Sequence, residues 1–196
     1  MNTYIRLTPS YTSMNVGLSI PDDLAKLIVE GERIVWVVRP VFKPFILKNL
    51  TGLIVPTIFL IIPIPFIQQM LYSPIPSSML FFPIIFLLLW YGTLAAIMLS
   101  FTLYPILLWR NLYYILTDRR IIVRKGVVGI DYDILNLEYV QQVNVDRGIW
   151  DRIYGTGTII VQAIGVKPIE IRSVADPFKS IDILKKTVDD VKAKGK

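Results

Sequence analysis

Tyr113-Tyr114-Ile115-Leu116-Thr117-Asp118-Arg119-Arg120-Ile121-Ile122-Val123-Arg124-Lys125-Gly126 is the stretch that decides the fold. Aromatic and β-branched runs flank Thr117-Asp118-Arg119, and the second run ends at Gly126. Apolar β-formers on both sides of a short polar turn predict two paired strands, at about 112–116 and 121–124. Downstream, short apolar runs between turn signals predict further strands at 128–133, 139–146, 158–162 and 169–172. Gly155-Thr156-Gly157 and residues 165–168 separate the later ones. Asp176-Pro177 then opens a helix over about 177–192, with a capping acid before a proline whose missing N–H is harmless in the first turn. Phe178, Ile181, Leu184, Val188 and Val191 line one face of it, and Lys179, Asp182, Lys185, Lys186 and Asp189 the other. Residues 110–196 therefore read as a small β-barrel or sandwich capped by a C-terminal helix.

Upstream the composition changes abruptly. The chain is 54% hydrophobic and only 18% charged, and residues 49–109 contain no Asp, Glu, Lys or Arg at all. A bilayer span needs about 20 apolar residues, so this block holds two spans and a turn. The spans are expected at about 42–62 and 77–109, with a loop beginning at Ile62-Pro63-Ile64-Pro65, where two prolines remove two backbone donors. Trp90 and Tyr91 fall mid-span, whereas Tyr104 and Trp109 suit an interfacial belt. Arg33, Arg39, Lys43 and Lys48 precede the first span, Arg110, Arg119, Arg120, Arg124 and Lys125 follow the second, and the connecting loop has no cation. Cationic flanks stay inside, which predicts a multi-pass plasma-membrane protein with both termini cytoplasmic.

Residues 1–41 form the third part. Met1 to Val16 lack the apolar core of a secretory signal. Ser19, Pro21, Asp22 and Asp23 look like a helix start, so a short amphipathic helix is expected at 21–30, free or on the membrane surface. Arg33-Ile34-Val35-Trp36-Val37-Val38 reads as a strand at 33–38. This strand is expected to return and pair with a sheet edge.

The absences narrow the chemistry. With no Cys and no His, disulfides, thiolate metal sites and His-based catalysis are excluded, and no cofactor or metal is expected. No ionisable residue lies in the apolar block, where charge-coupled transporters carry theirs. Asp131 and Asp133 share a strand face, a pattern that metal sites and ordinary solvated faces have in common. Gly155-Thr156-Gly157 lacks the Gly-Lys pair of a phosphate loop and reads as a turn. The net charge of +6 is mild and gives no reason to expect a nucleic-acid partner.

The motifs quoted above, with Leu137-Glu138-Tyr139-Val140-Gln141-Gln142-Val143, Arg152-Ile153-Tyr154-Gly155-Thr156-Gly157-Thr158 and the closing Asp176-Pro177, resemble the bacterial and archaeal pleckstrin-homology-like (PH-like) domain family of membrane proteins. Gly31-Glu32 and Arg39-Pro40 resemble what precedes the two-helix hairpin of such proteins. Asn136 and Gln142 depart from the family pattern. The resemblance implies a non-enzymatic binding platform: a membrane-anchored scaffold that self-assembles or holds a protein partner. The alternative is an accessory subunit of a larger membrane enzyme or transport complex, with an anionic-lipid-binding module third. Arg110, Lys125, Lys43 and Lys48 are the candidates for membrane lipid headgroups. Gly92, Ala96 and Ser100 recur every fourth residue and are candidates for close helix packing, against the first span or another protomer. Trp150 is a candidate partner anchor or core residue.

Overall fold

The computed structural model describes residues 21–72 and 76–194. The N-terminal 20 residues, with the capping hydroxyl expected at Ser19, lie outside the described residues, as do Ser73 and Pro74 of the expected loop. The chain divides into two units, Met1–Phe45 with Leu108–Lys196, and Ile46–Leu107.

In the first unit, α1 (Asp22–Ala25) is followed by β1 (Ile34–Val38) and the start of α2 (Phe42–Leu50). After the end of the long α5 (Phe81–Asn111) come β2 (Tyr113–Thr117), β3 (Arg120–Lys125), β4 (Asp131–Asn136) and β5 (Val140–Asp146). The short α6 (Ile149–Ile153), β6 (Thr156–Ala163), β7 (Ile169–Ala175) and α7 (Pro177–Lys194) complete it. Two antiparallel sheets form, ordered β1-β2-β3-β4 and β5-β6-β7. The expected alternative of a barrel is corrected by this pairing, because the two sheets do not join into one closed sheet. The strand upstream of the charge-free block supplies the seventh strand, with Val37 opposite Ile115 and Val38 opposite Tyr114.

β2 and β3 are buried on both faces, which is why they read as unbroken apolar runs. Tyr114, 1% exposed, turns towards the second sheet, and its hydroxyl accepts the Arg172 backbone N–H at 3.1 Å. Burial pushes its ionisation up to about 12. On the opposite face Val37, Ile115 and Ile122 pack with Leu24, which is fully buried, and with the half-buried Leu27 and Ile28. Residues 21–32 therefore form a strap across the sheet and not a free or membrane-lying helix. The expected helix at 21–30 stops at Ala25 because its backbone is recruited elsewhere: Arg120 takes the Leu27 carbonyl at 3.0 Å, and Glu32 takes the Val29 N–H at 3.0 Å. α7 packs on β5 and β6 through Ile181, Leu184 and Val188, while Phe178, expected inside, is 60% exposed beneath Arg147.

The strand expected at 128–133 is displaced to Asp131–Asn136. Gly126, at φ +137°, turns the chain so tightly that an added Cβ would meet the Gly129 oxygen at 1.9 Å, so Val127 and Val128 form a turn despite their β-propensity.

The second unit holds the rest of α2, a tighter turn at Thr51–Leu53, α3 (Ile54–Phe59), α4 (Ile64–Tyr72) and most of α5. Two helical runs, Phe42–Tyr72 and Phe81–Asn111, are long and apolar enough to cross a membrane. The helix does not end at Pro63, as expected, but resumes at Ile64. Prolines lacking an N–H fit the first turn of a helix, where that donor has no intrahelical acceptor, so Pro63 and Pro65 break one helix and start the next.

Candidate functional site

Between β1 and α2, the half-buried Arg39 sits against the last turn of α5. Its guanidinium lies 4.5 Å from the ring centre of Trp109 and 4.5 Å from that of Tyr113. One nitrogen donates to the carbonyls of Trp109 and Arg110, at 3.2 and 3.3 Å. Those carbonyls belong to the last turn of α5, where four oxygens lack helical donors and a cation is favoured. Trp109 returns a bond from its indole N–H to the Pro40 carbonyl at 2.8 Å, and packs edge-on against Phe42 at 4.9 Å. The Val41 N–H reaches the Ser173 carbonyl of β7 at 2.8 Å. The Arg39-Pro40 pair therefore ties the chain before α2 to the end of α5.

The two arginines of β3 have their charge met by the strap. Glu32, whose side chain is 1% exposed, accepts two bonds from Arg120, at 2.9 and 2.7 Å, and one from the Thr117 hydroxyl at 2.6 Å. Burial pushes the Glu32 carboxyl up, and the Arg120 guanidinium with Thr117 and the Val29 N–H outweighs it, holding the group below the usual carboxylate range. Asp23 accepts from Arg124 at 2.7 Å and from the Tyr132 hydroxyl at 2.5 Å. Here too burial raises the carboxyl and those two partners more than offset it. Arg33 and Asp118 exchange bonds between strap and hairpin turn, at 3.0 and 2.9 Å. Arg120 and Arg124 thus each already have a carboxylate partner in the strap.

The four headgroup candidates are not equivalent. Arg110 is exposed on the last turn of α5 and Lys43 on the first turn of α2. Lys48 is exposed further along α2. Lys125 forms an ion pair with Asp133, which also gives that acid a structural role. Gly92, Ala96 and Ser100 share an exposed face of α5, with no atom within 4 Å of a Cβ placed on Gly92. A close approach between the two helical runs is seen at Gly52, whose added Cβ would lie 2.5 Å from the Phe101 ring. Trp150 is half-buried on α6, with Ile149 and Ile153 exposed beside it. Sequence reasoning missed the Arg39 seat and the carboxylates of the strap; the Arg39-Pro40 motif and the acids Asp23 and Glu32 were visible, but not their partners.

A family model described as bacterial PH domain matches residues 42–188. The chain belongs to the bacterial PH domain family. The match takes in both long apolar helices and all the strands that follow them, while β1 and the strap lie upstream of it. Among solved structures, the chain is similar to a DUF1696 family protein with a pleckstrin-homology domain from Shewanella loihica PV-4, at 16% identity and a TM-score of 0.31, over 41% of this chain and 70% of that one. No curated protein matches the chain. A bacterial PH domain points to a binding module.

Proposed function

We propose that this bacterial PH domain protein is a non-enzymatic, membrane-anchored scaffold or protein-binding platform, with α2 to α5 spanning the plasma membrane and the sheet domain and both termini in the cytoplasm. The observation that carries this reading is the exposure of the two apolar helices. Their most apolar windows have mean hydropathies of 2.3 and 2.2, yet only 11% and 6% of those windows is buried. A core helix of a water-soluble protein is covered by its own chain, and a surface this apolar is stable only against lipid or another protein. The absence of cations between Lys48 and Arg110 supports the orientation.

A second reading, an accessory subunit bracing a larger membrane complex, is favoured by the exposed Gly92, Ala96 and Ser100 face, which the chain's own first helix leaves open. Specific recognition of anionic lipid is the weaker reading, because Glu32 and Asp23 already occupy Arg120 and Arg124.

Native mass spectrometry of the protein extracted gently from its own membrane separates these readings. Masses in integer multiples of 22.4 kDa support a self-assembling scaffold. Defined foreign subunits support the accessory role. Recovery in the soluble fraction without detergent would overturn the membrane anchor.

A further inference from the structure

The β3–β4 connection, Gly126-Val127-Val128-Gly129-Ile130, contradicts ordinary turn chemistry. Turn tips favour Gly, Asn, Asp and Ser, which tolerate the backbone geometry and water, and β-branched apolar residues are poor there. Here Val128 is fully exposed, at 103%, and Ile130 is 42% exposed. The shape is fixed: the Gly126 backbone sits against the Gly129 carbonyl too closely for any Cβ, so Val127 and Val128 form a closed, projecting tip.

The register shows where the tip points. Tyr113 lies opposite Arg124, so extending that register by one and two residues puts Lys125 opposite Leu112 and Gly126 opposite Asn111. The hydrogen bonds agree. The Asn111 side chain donates to the Gly126 carbonyl at 3.0 Å, and Arg124 donates to the Asn111 carbonyl at 3.1 Å. Asn111 is the last residue of α5. β3 therefore runs back towards the end of that helix, and the Gly126–Ile130 turn begins beside its last residue.

We propose that the 126–130 loop is a second, shallow membrane contact, with Val128 at its tip and Val127 and Ile130 at its base inserted at the headgroup–acyl boundary of the bilayer that α5 spans. The proposal rests on the membrane-anchored reading above. Three features select a lipid surface as occupant. The apolar tip continues from the end of an apolar helix. The loop has no charge between Lys125 and Asp131, and Lys125 is already paired with Asp133, so insertion drags no unpaired cation inward. Arg110 stands exposed at the same helix end, where a headgroup phosphate would meet it. Together with α5, such a contact gives the sheet domain two points of attachment, which fixes its tilt on the membrane.

The chain has no cysteine, so single-cysteine variants can be labelled without background. Val128→Cys, Leu99→Cys in α5 and Arg119→Cys at the opposite end of the β2–β3 hairpin are each labelled with an environment-sensitive fluorophore. The full chain is then reconstituted into phosphatidylcholine–phosphatidylglycerol vesicles containing lipids with a quencher at shallow or deep positions. The expected result is strong quenching of the Leu99 label by the deep quencher, and shallow quenching of the Val128 label about twofold or more above that of Arg119, with blue-shifted emission. Quenching at Leu99 with Val128 behaving like Arg119 overturns the loop contact and leaves the anchored hairpin standing. No quenching at Leu99 overturns the membrane reading itself, and the loop proposal with it.

Discussion

The indole N–H of Trp90 donates to the carbonyl oxygen of Phe59 at 3.2 Å, and Phe59 is the residue four before Pro63. In an uninterrupted helix the N–H of residue 63 would take that oxygen, but proline has none. One residue on, the Ile64 N–H bonds to Ile61 at 3.0 Å, which frees the Leu60 carbonyl as well, and the Tyr91 hydroxyl takes it at 3.3 Å. Two adjacent aromatic side chains on α5 thus satisfy two adjacent carbonyls that the proline break leaves open. In hydrocarbon no water would do so.

Trp90→Phe is expected to destabilise the hairpin by about 0.5–2 kcal/mol, the range for side-chain hydrogen bonds between membrane helices. In a Pro63→Ala background the same change should cost much less, because residue 63 then offers its own N–H to Phe59. A double-mutant cycle of unfolding in mixed micelles reads the coupling. Equal losses in both backgrounds would show that the indole does not replace the missing donor.

The strap predicts a pH dependence. Asp23 and Glu32 both have carboxyls held below the ordinary range, so they bind protons less readily folded than unfolded. Their contribution is complete above the unfolded value of about 4 and is lost as pH falls through the depressed folded values. Thermal unfolding of the full chain in detergent should therefore weaken progressively below about pH 4, with a smaller decline in Glu32→Gln. Arg120→Ala should be worse than Glu32→Gln at neutral pH, by about 3–5 kcal/mol against the parent chain, because it strands a carboxylate that is 1% exposed.

Arg39→Lys keeps the charge but loses the planar face between Trp109 and Tyr113. A loss of about 1–3 kcal/mol is expected from the two ring contacts and the weakened bonds to the Trp109 and Arg110 carbonyls. Arg39→Lys should thus lower the melting temperature of the full chain, and an unchanged melting temperature would show the seat to be incidental.

Three glycines are expected to separate cleanly on replacement by alanine. Gly126→Ala meets backbone at 1.9 Å in a positive-φ conformation, and Gly52→Ala meets the Phe101 ring at 2.5 Å; each should cost about 1–3 kcal/mol or more. Gly92→Ala meets nothing within 4 Å and should stabilise the chain by up to about 1 kcal/mol in detergent that disperses oligomers. A loss at Gly92 accompanied by dissociation of a complex, read by light scattering, would identify that face as a protein contact.

Much of the architecture is legible in the chain itself. The charge-free block 49–109 announces two long apolar helices, because hydrocarbon tolerates few charges over that length. The strands of the sheet domain are legible from their alternation and turns, and Arg33–Val38 as a strand from its β-branched run. The exceptions have local causes. Pro63-Ile64-Pro65 looks like a stop and is also a start, because a missing donor is harmless in a first turn. Val127-Val128 looks like strand and is a turn, because a backbone contact between Gly126 and Gly129 overrides propensity.

Sequence by itself determined the class of most segments and the family resemblance, since periodicity, charge and turn chemistry act over a few residues. Only the tertiary structure decided which charges are available. Arg120 and Arg124 look like an exposed basic run until Glu32 and Asp23, 88 and 101 residues away, are seen to occupy them. It also decided that residues 21–32 cover a sheet face, that Arg39 sits against two rings contributed from beyond the charge-free block, and that Trp90 serves a carbonyl 31 residues earlier. Each of these pairs groups far apart in the chain, and the free energy of such a pair depends on distance and burial in the folded state, which no local pattern encodes.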